Sequence, residues 1–171
     1  MISDVNDLKK SADCGDSSAQ YEYGQLCYQS CGVASYALED SFYYFLLSAE
    51  QGNPDAQFCV GAAYYHGEGT VQNYVEAVKW FQKAADQGQV NALFNLGICY
   101  ESGFGVEKDL KKSLVYYRRA VRAGHGDKAR QAVRGVKQMI RQSQPLWVRM
   151  VWRVLWSCLV FLLIFCCKKI F

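Results

Sequence analysis

Apolar and small residues return along the chain with a step of 36. Gly52, Gly88 and Gly124 keep that step, as do Tyr44, Trp80 and Tyr116, and Ser48, Ala84 and Ala120. A fixed period of this size predicts stacked structural repeats rather than one closed core. Within a period, Ala56, Gly61 and Tyr64 recur at roughly helical spacing, and Ala77, Trp80, Phe81 and Ala84 do so further on. Each period therefore predicts two helices. Small residues let the two approach closely, and the aromatics fill the space that remains. Gly67-Glu68-Gly69 and Gly103-Phe104-Gly105 lie between the helices, where a tight turn needs positive φ. Asn73 and Asp109 follow at equivalent sites, as N-caps of the second helices.

The chain divides accordingly. Residues 1–15 are a lone second helix (Ser3 to Cys14, with Ser3 or Asp4 as its cap), a half-repeat. Residues 16–52 are a divergent first repeat, which lacks the paired-glycine turn and carries one extra residue around Cys31-Gly32-Val33. Residues 53–88 and 89–124 are the second and third repeats. Residues 125–143 are a capping helix: Ala129, Val133, Val136 and Ile140 form one apolar face, while Lys128, Arg130, Arg134, Lys137 and Arg141 cover most of the rest. A solenoid needs such a polar outer face at its end. Pro145 then breaks the helix. The expected fold is an all-α solenoid of antiparallel helix pairs plus one C-terminal hydrophobic helix.

That last helix is the segment 146–167. Val154 to Cys167 holds no charge, and the stretch from Leu146 is interrupted only by Arg149 and Arg153. About 20 apolar residues span a bilayer. The two arginines can snorkel to the interface, and Trp147, Trp152 and Trp156 suit an interfacial belt. The segment is expected to be a single-pass membrane anchor. Basic residues are heavier before it than after it, so the repeats are expected on the cytosolic side. Lys168-Lys169-Ile170-Phe171 matches a dilysine retrieval signal of the endoplasmic reticulum, whereas a short span with basic flanks fits the mitochondrial outer membrane. A bacterial inner membrane is the third possibility.

Charge sharpens this picture. The net charge of +3 hides an acidic body and a tail that carries no acid after Asp127. Two roles fit the basic residues Lys128, Arg130, Arg134, Lys137, Arg141, Arg149 and Arg153: contact with anionic lipid headgroups, or a solvated capping face. Nucleic acid is not an expected partner, because the body is acidic and the basic stretch adjoins a lipid-seeking one. The eight cysteines share no repeat position and form no metal-binding pattern. The opening MISDVNDLKK has no apolar run of the signal-peptide kind, so reduced thiols are expected.

GNPDAQFCVGAAYYHGEGTVQNYVEAVKWFQKAADQG, with its counterpart from Gly88 to Gly124, resembles the Sel-one-like repeat, a relative of the tetratricopeptide repeat. The third unit carries the family pattern at Gly88, Ala92, Leu96, Gly97, Tyr100, Gly103, Gly105, Val106, Asp109, Tyr116, Ala120 and Gly124. The second departs at Val60, Thr70 and Asn73, and the first departs most around its turn. The resemblance implies a right-handed superhelix and an adaptor or scaffold role. By analogy with tetratricopeptide arrays it also implies a groove for a protein or peptide partner, lined by Tyr21, Gln25, Tyr28, Phe58, Ala62, Tyr65, Phe94, Ile98 and Glu101. The same aromatics could instead serve only to pack the fold. Alternative roles are a structural subunit that self-associates through its tail, or a bacterial effector at host membranes.

Catalysis finds little support. His66 and His125 fall in loops, no serine or cysteine has a His and acid partner at motif spacing, and Glu39-Asp40 lacks a cleft to perturb it. No cofactor and no small-molecule substrate are expected. The cysteine-rich bacterial relatives carry a regular Cys pair in each repeat, which this chain lacks.

Overall fold

The computed structural model describes residues 2–30 and 36–143, and these form eight α-helices and no strand. They are α1 (Ile2–Asp13), α2 (Ser17–Gln29), α3 (Tyr36–Glu50), α4 (Pro54–His66), α5 (Tyr74–Asp86), α6 (Val90–Ser102), α7 (Leu110–Arg122) and α8 (Gly126–Ser143). The chain divides into two compact units, Met1–Val136 and Lys137–Phe171. In the first, consecutive helices from α1 to α7 pack on one another, so the described helices build an all-helical solenoid. In the second, only 137–143 are described; there Ser143 Oγ donates to the Ile140 carbonyl at 2.9 Å. The extra residue near Cys31-Gly32-Val33 and the expected membrane segment 146–167 lie outside the described residues.

Each helix pair is closed by a glycine under a ring. Gly24, Gly61 and Gly97 of the first helices lie beneath Phe45, Phe81 and Tyr117 of the second; a Cβ on Gly61 would sit 2.6 Å from Phe81 Cδ1. Phe81 is fully buried and Tyr117 nearly so. The paired-glycine turn performs a different task. The second glycine of each turn, Gly69 or Gly105, sits against the carbonyl of Leu38 or Tyr74, in the second helix of the preceding unit. Both have positive φ (68° and 70°), so a side chain there is excluded by conformation and by space. The turns thus lock one repeat onto the next.

Asn73 and Asp109 cap α5 and α7, each side chain accepting from two backbone N–H groups. Asn53 caps α4 in the same way, while Asp16 and Gln89 cap α2 and α6 by accepting from one N–H each, that of Ala19 and of Ala92. The helix before them departs from expectation: α1 begins at Ile2, which places Ser3 and Asp4 inside its first turn, not before it.

A glutamine ladder stitches the first two junctions. Buried Gln20 and Gln57 donate to the carbonyls of Ala12 and Ala49 at 3.1 and 3.2 Å, at the ends of the preceding helices. Each accepts in turn from a glutamine 30 or so residues later: Gln51 bridges Gln20 and the Gly15 carbonyl, and Gln87 bridges Gln57 and the Gly52 carbonyl. At the third junction Leu93 and Ala123 stand at the equivalent positions, and Arg119 reaches the Ala85 carbonyl instead, at 3.3 Å.

Candidate functional site

The nine residues proposed for a groove are distributed among several environments. Gln25, Tyr28, Phe58 and Ala62 line one cleft of about 250 Å³ between the first and second repeats. Leu38, Phe42 and Phe45 of α3 and Cys59 and Ala63 of α4 complete its apolar part. Gln25, Gln29 and Glu68 supply polar groups. Tyr28 Oη donates to Glu68 Oε2 at 3.2 Å, linking α2 to the turn of the next repeat across the cleft. Gln25 Nε2 donates to Tyr21 Oη at 2.7 Å.

The equivalent aromatics Tyr21, Phe58 and Phe94 each meet the ring of their own repeat's second helix. Tyr21 tilts on Phe45 at 5.8 Å, Phe58 on Phe81 at 5.9 Å and Phe94 on Tyr117 at 5.3 Å. All three are half-buried, and packing occupies at least one face of each. Burial raises the Tyr21 hydroxyl to about 12, with Cys59 and Asp55 adding to it, so it is a neutral donor and acceptor at physiological pH. Tyr65 joins a cluster with Tyr74, Phe104 and His66, in which Tyr74 and Phe104 stack at 4.9 Å, and also tilts on Phe81 at 6.4 Å. Glu101 accepts from Tyr117 Oη at 2.7 Å. Ile98 is half-buried on α6.

Cys59 lines the cleft, and burial followed by the nearby Asp55 pushes its thiol up to about 12. A thiol so suppressed is a weakly polar wall, not a nucleophile. His125 is not a plain loop residue: its ring stands edge-on to Phe94 at 4.3 Å, helping to close the end of the third repeat. His66 ends α4, exposed and edge-on to Tyr65. Among the described residues, no three His, Cys, Asp or Glu side chains are grouped to hold a metal, and Cys14, Cys27, Cys59 and Cys99 are free thiols.

Of the basic residues, Lys128, Arg130, Arg134, Lys137 and Arg141 are exposed on α8. Arg130 pairs with Asp127 at 2.8 Å, an exposed contact of little energetic weight. Arg149 and Arg153 lie outside the described residues. No described helix is long and apolar enough to cross a membrane.

Two features were missed in the sequence: the Gln20–Gln51 and Gln57–Gln87 ladder and the cleft-lining Phe42, Cys59 and Glu68. The Ala-Gln pair at both Ala19-Gln20 and Ala56-Gln57 was the available signal for the first.

Repeated helix pairs closed by a ring over glycine, with a turn that docks on the preceding pair, define an α-solenoid of the tetratricopeptide class. The Sel1 repeat family matches residues 17–53, 54–89 and 90–125, and the chain belongs to it. Repeats of this family generally mediate protein–protein interaction. The chain is 34% identical to c5321, a protective antigen present in uropathogenic Escherichia coli strains that displays an SLR fold (TM-score 0.66, covering 73% of this chain and 26% of that one). It is 32% identical to a Sel1 repeat protein from Oxalobacter formigenes (TM-score 0.64, 75% and 58%). Cysteine-rich protein B of Helicobacter pylori shares the fold at 20% identity (TM-score 0.53, 73% and 93%). The chain thus spans about a quarter and under two thirds of the first two proteins' lengths. No curated protein matches it significantly.

Proposed function

We propose that the chain is a protein-interaction scaffold that holds an apolar side chain of a partner peptide in the cleft between its first and second repeats. The cleft itself carries this reading. Its volume of about 250 Å³ lies below the roughly 300–1,000 Å³ usual for small-molecule sites, which favours one anchoring side chain over a cofactor or metabolite. Phe42, Phe45, Phe58 and Ala62 offer apolar contact, while Gln25, Gln29 and Glu68 offer hydrogen bonds to a peptide backbone. Panning a random peptide library on the chain should enrich sequences with one large apolar anchor. Ala62→Trp, which fills the cleft, should weaken the selected peptides at least about tenfold, the scale of one lost anchor. Unchanged binding to that variant would place the peptide elsewhere and end the proposal.

A membrane role fits beside this one. We infer that residues 146–167 anchor the chain as a single pass with the repeats on the cytosolic side, and that the basic side chains of α8 face anionic headgroups. The support is the composition of the segment and its arginine-heavy leading flank. Anchoring raises the local concentration of partners on one surface, so modest affinity in the cleft suffices. The family resemblance further suggests a right-handed superhelix. Carbonate extraction of the full chain, compared with one lacking Leu146 to Phe171, checks the anchor: the full chain should stay in the pellet, and its release would refute the anchor without touching the cleft.

A further inference from the structure

The second helices α3, α5 and α7 lie in a row. Trp80 of α5 packs on the cluster containing Phe45 and Ala49 of α3. Tyr116 and Arg119 of α7 bond Gln82 and the Ala85 carbonyl of α5. Each helix turns one stripe outward at equivalent repeat positions. The stripe reads Glu39, Tyr43, Leu46, Glu50 on α3 and Val75, Lys79, Gln82, Asp86 on α5. On α7 it reads Lys111, Val115, Arg118, Arg122. Charge changes sign along this row. Helix α3 carries three carboxylates and no base, α5 two of each, and α7 five bases and no acid. Among the described residues, Glu39, Glu50, Lys111, Arg118 and Arg122 form no ion pair. Apolar side chains stand open in the same stripes: Tyr43 is 56% exposed, Val75 52% and Val115 53%.

We propose that this face docks on the same face of a second copy of the chain about a two-fold axis running along α5, so that facing helices are parallel. A two-fold contact is isologous: whatever α3 of one copy touches on the other, α7 receives in return. With the axis at α5, the acidic α3 falls on the basic α7 twice over. Because that axis keeps the helix direction, the stripes pair position for position. Glu39 of one copy faces Lys111 of the other, and Glu50 faces Arg122. Between them Tyr43 faces Val115, and half-buried Leu46 lies against the apolar stem of Arg118. Every member of the α3 stripe thus meets a side chain of suitable chemistry. Helix α5 meets itself, Val75 against Val75, and brings no net charge; its exposed Lys79 is already paired with Glu76 at 2.6 Å. Complementary charge sets partner choice and register. It also repels a second copy arriving with α3 on α3 or α7 on α7.

Sedimentation equilibrium of the full chain in mild nonionic detergent tests this. The chain should be a dimer at about 0.05 M salt and shift toward monomer at about 1 M, where screening shortens the reach of charge to about 3 Å. Glu39→Lys with Glu50→Lys, and separately Lys111→Glu with Arg122→Glu, should each give monomers. All four substitutions lie on exposed positions, and circular dichroism checks the fold. An equimolar mixture of the two variants should form a 1:1 heterodimer, and the chain carrying all four changes should dimerise again. A monomer under every condition overturns the proposal. So does a mass indifferent to salt and to charge reversal, as association through the tail would give. Growth beyond a dimer with concentration also overturns it, since that marks an open head-to-tail contact.

Discussion

Replacing Gly61 by alanine isolates the contact that closes each repeat. An alanine in a helix interior is favoured over glycine by about 0.5–1 kcal/mol. Against that, the new Cβ would stand 2.6 and 2.7 Å from Phe81 Cδ1 and Cε1, where carbon atoms prefer about 3.5–4.0 Å. The ring must retreat by about 1 Å. Phe81 is fully buried, with Phe58 at 5.9 Å and Tyr65 at 6.4 Å between ring centroids, so its retreat moves a whole aromatic layer. Overpacking of this kind costs about 1–3 kcal/mol. The balance is a net loss of about 1–2 kcal/mol, or roughly 2–8 °C in Tm for a chain of this size. Gly135 in α8 is the control, since a Cβ there meets nothing within 4 Å; Gly135→Ala should stabilise by about 0.5–1 kcal/mol. Urea titration followed by circular dichroism reads both variants. The cost of Gly61→Ala should also shrink when Phe81→Leu makes room, a coupling that a double-mutant cycle measures. A Gly61→Ala chain at least as stable as the wild type would refute the reasoning, because propensity would then outweigh the ring.

Three further outcomes follow from the same structure. Gly105→Ala, which drives a Cβ into the Tyr74 carbonyl at φ 70°, should cost at least about 2 kcal/mol in urea titration, whereas Gly124→Ala, facing open space at φ 96°, should cost about 1 kcal/mol. Gln57→Ala removes one of two donors to the Ala49 carbonyl, which keeps the Gly52 N–H, and one of two acceptors of the Gln87 amide, which keeps the Gly52 carbonyl. It should cost about 1–2 kcal/mol by thermal unfolding, with loss of amide-exchange protection near Ala49 and Gln87. Burial raises the Cys99 thiol from 9.0 to about 12, so at pH 8 only about one molecule in ten thousand carries the thiolate. Peptide mapping after a short alkylation should find exposed Cys14 modified and Cys99 intact until the chain unfolds. The neutral folded thiol also gives stability that is full below pH 9 and lost as pH rises toward 12.

The period of 36, the positive-φ turn glycines and the caps at Asn73 and Asp109 were legible in the sequence, because each is local or repeats. A turn needs glycine wherever it occurs, and an N-cap bonds within three residues of itself. The start of α1 was misjudged because Ser3 and Asp4 are good caps whether or not the helix extends past them. The groove was less legible. Equivalent positions across repeats predicted one lining, yet the structure gives Phe94 to Tyr117 and His125, Glu101 to Tyr117, and Tyr65 to a cluster at the turn. Equivalence in the repeat does not carry equivalence of neighbours, since each junction has its own side chains. The cleft lies between the first two repeats, where Ala62 and Cys59 leave room beside Phe42 and Phe45. The glutamine ladder and the turn-to-helix lock join residues about 30 or more apart, and only the stacking of helices brings them within bonding distance. The sequence by itself therefore determined that helix pairs form and that they repeat. Tertiary structure decided which side chains are absorbed in joining the pairs, and so which of them, on the outer row from Glu39 to Arg122, stay exposed.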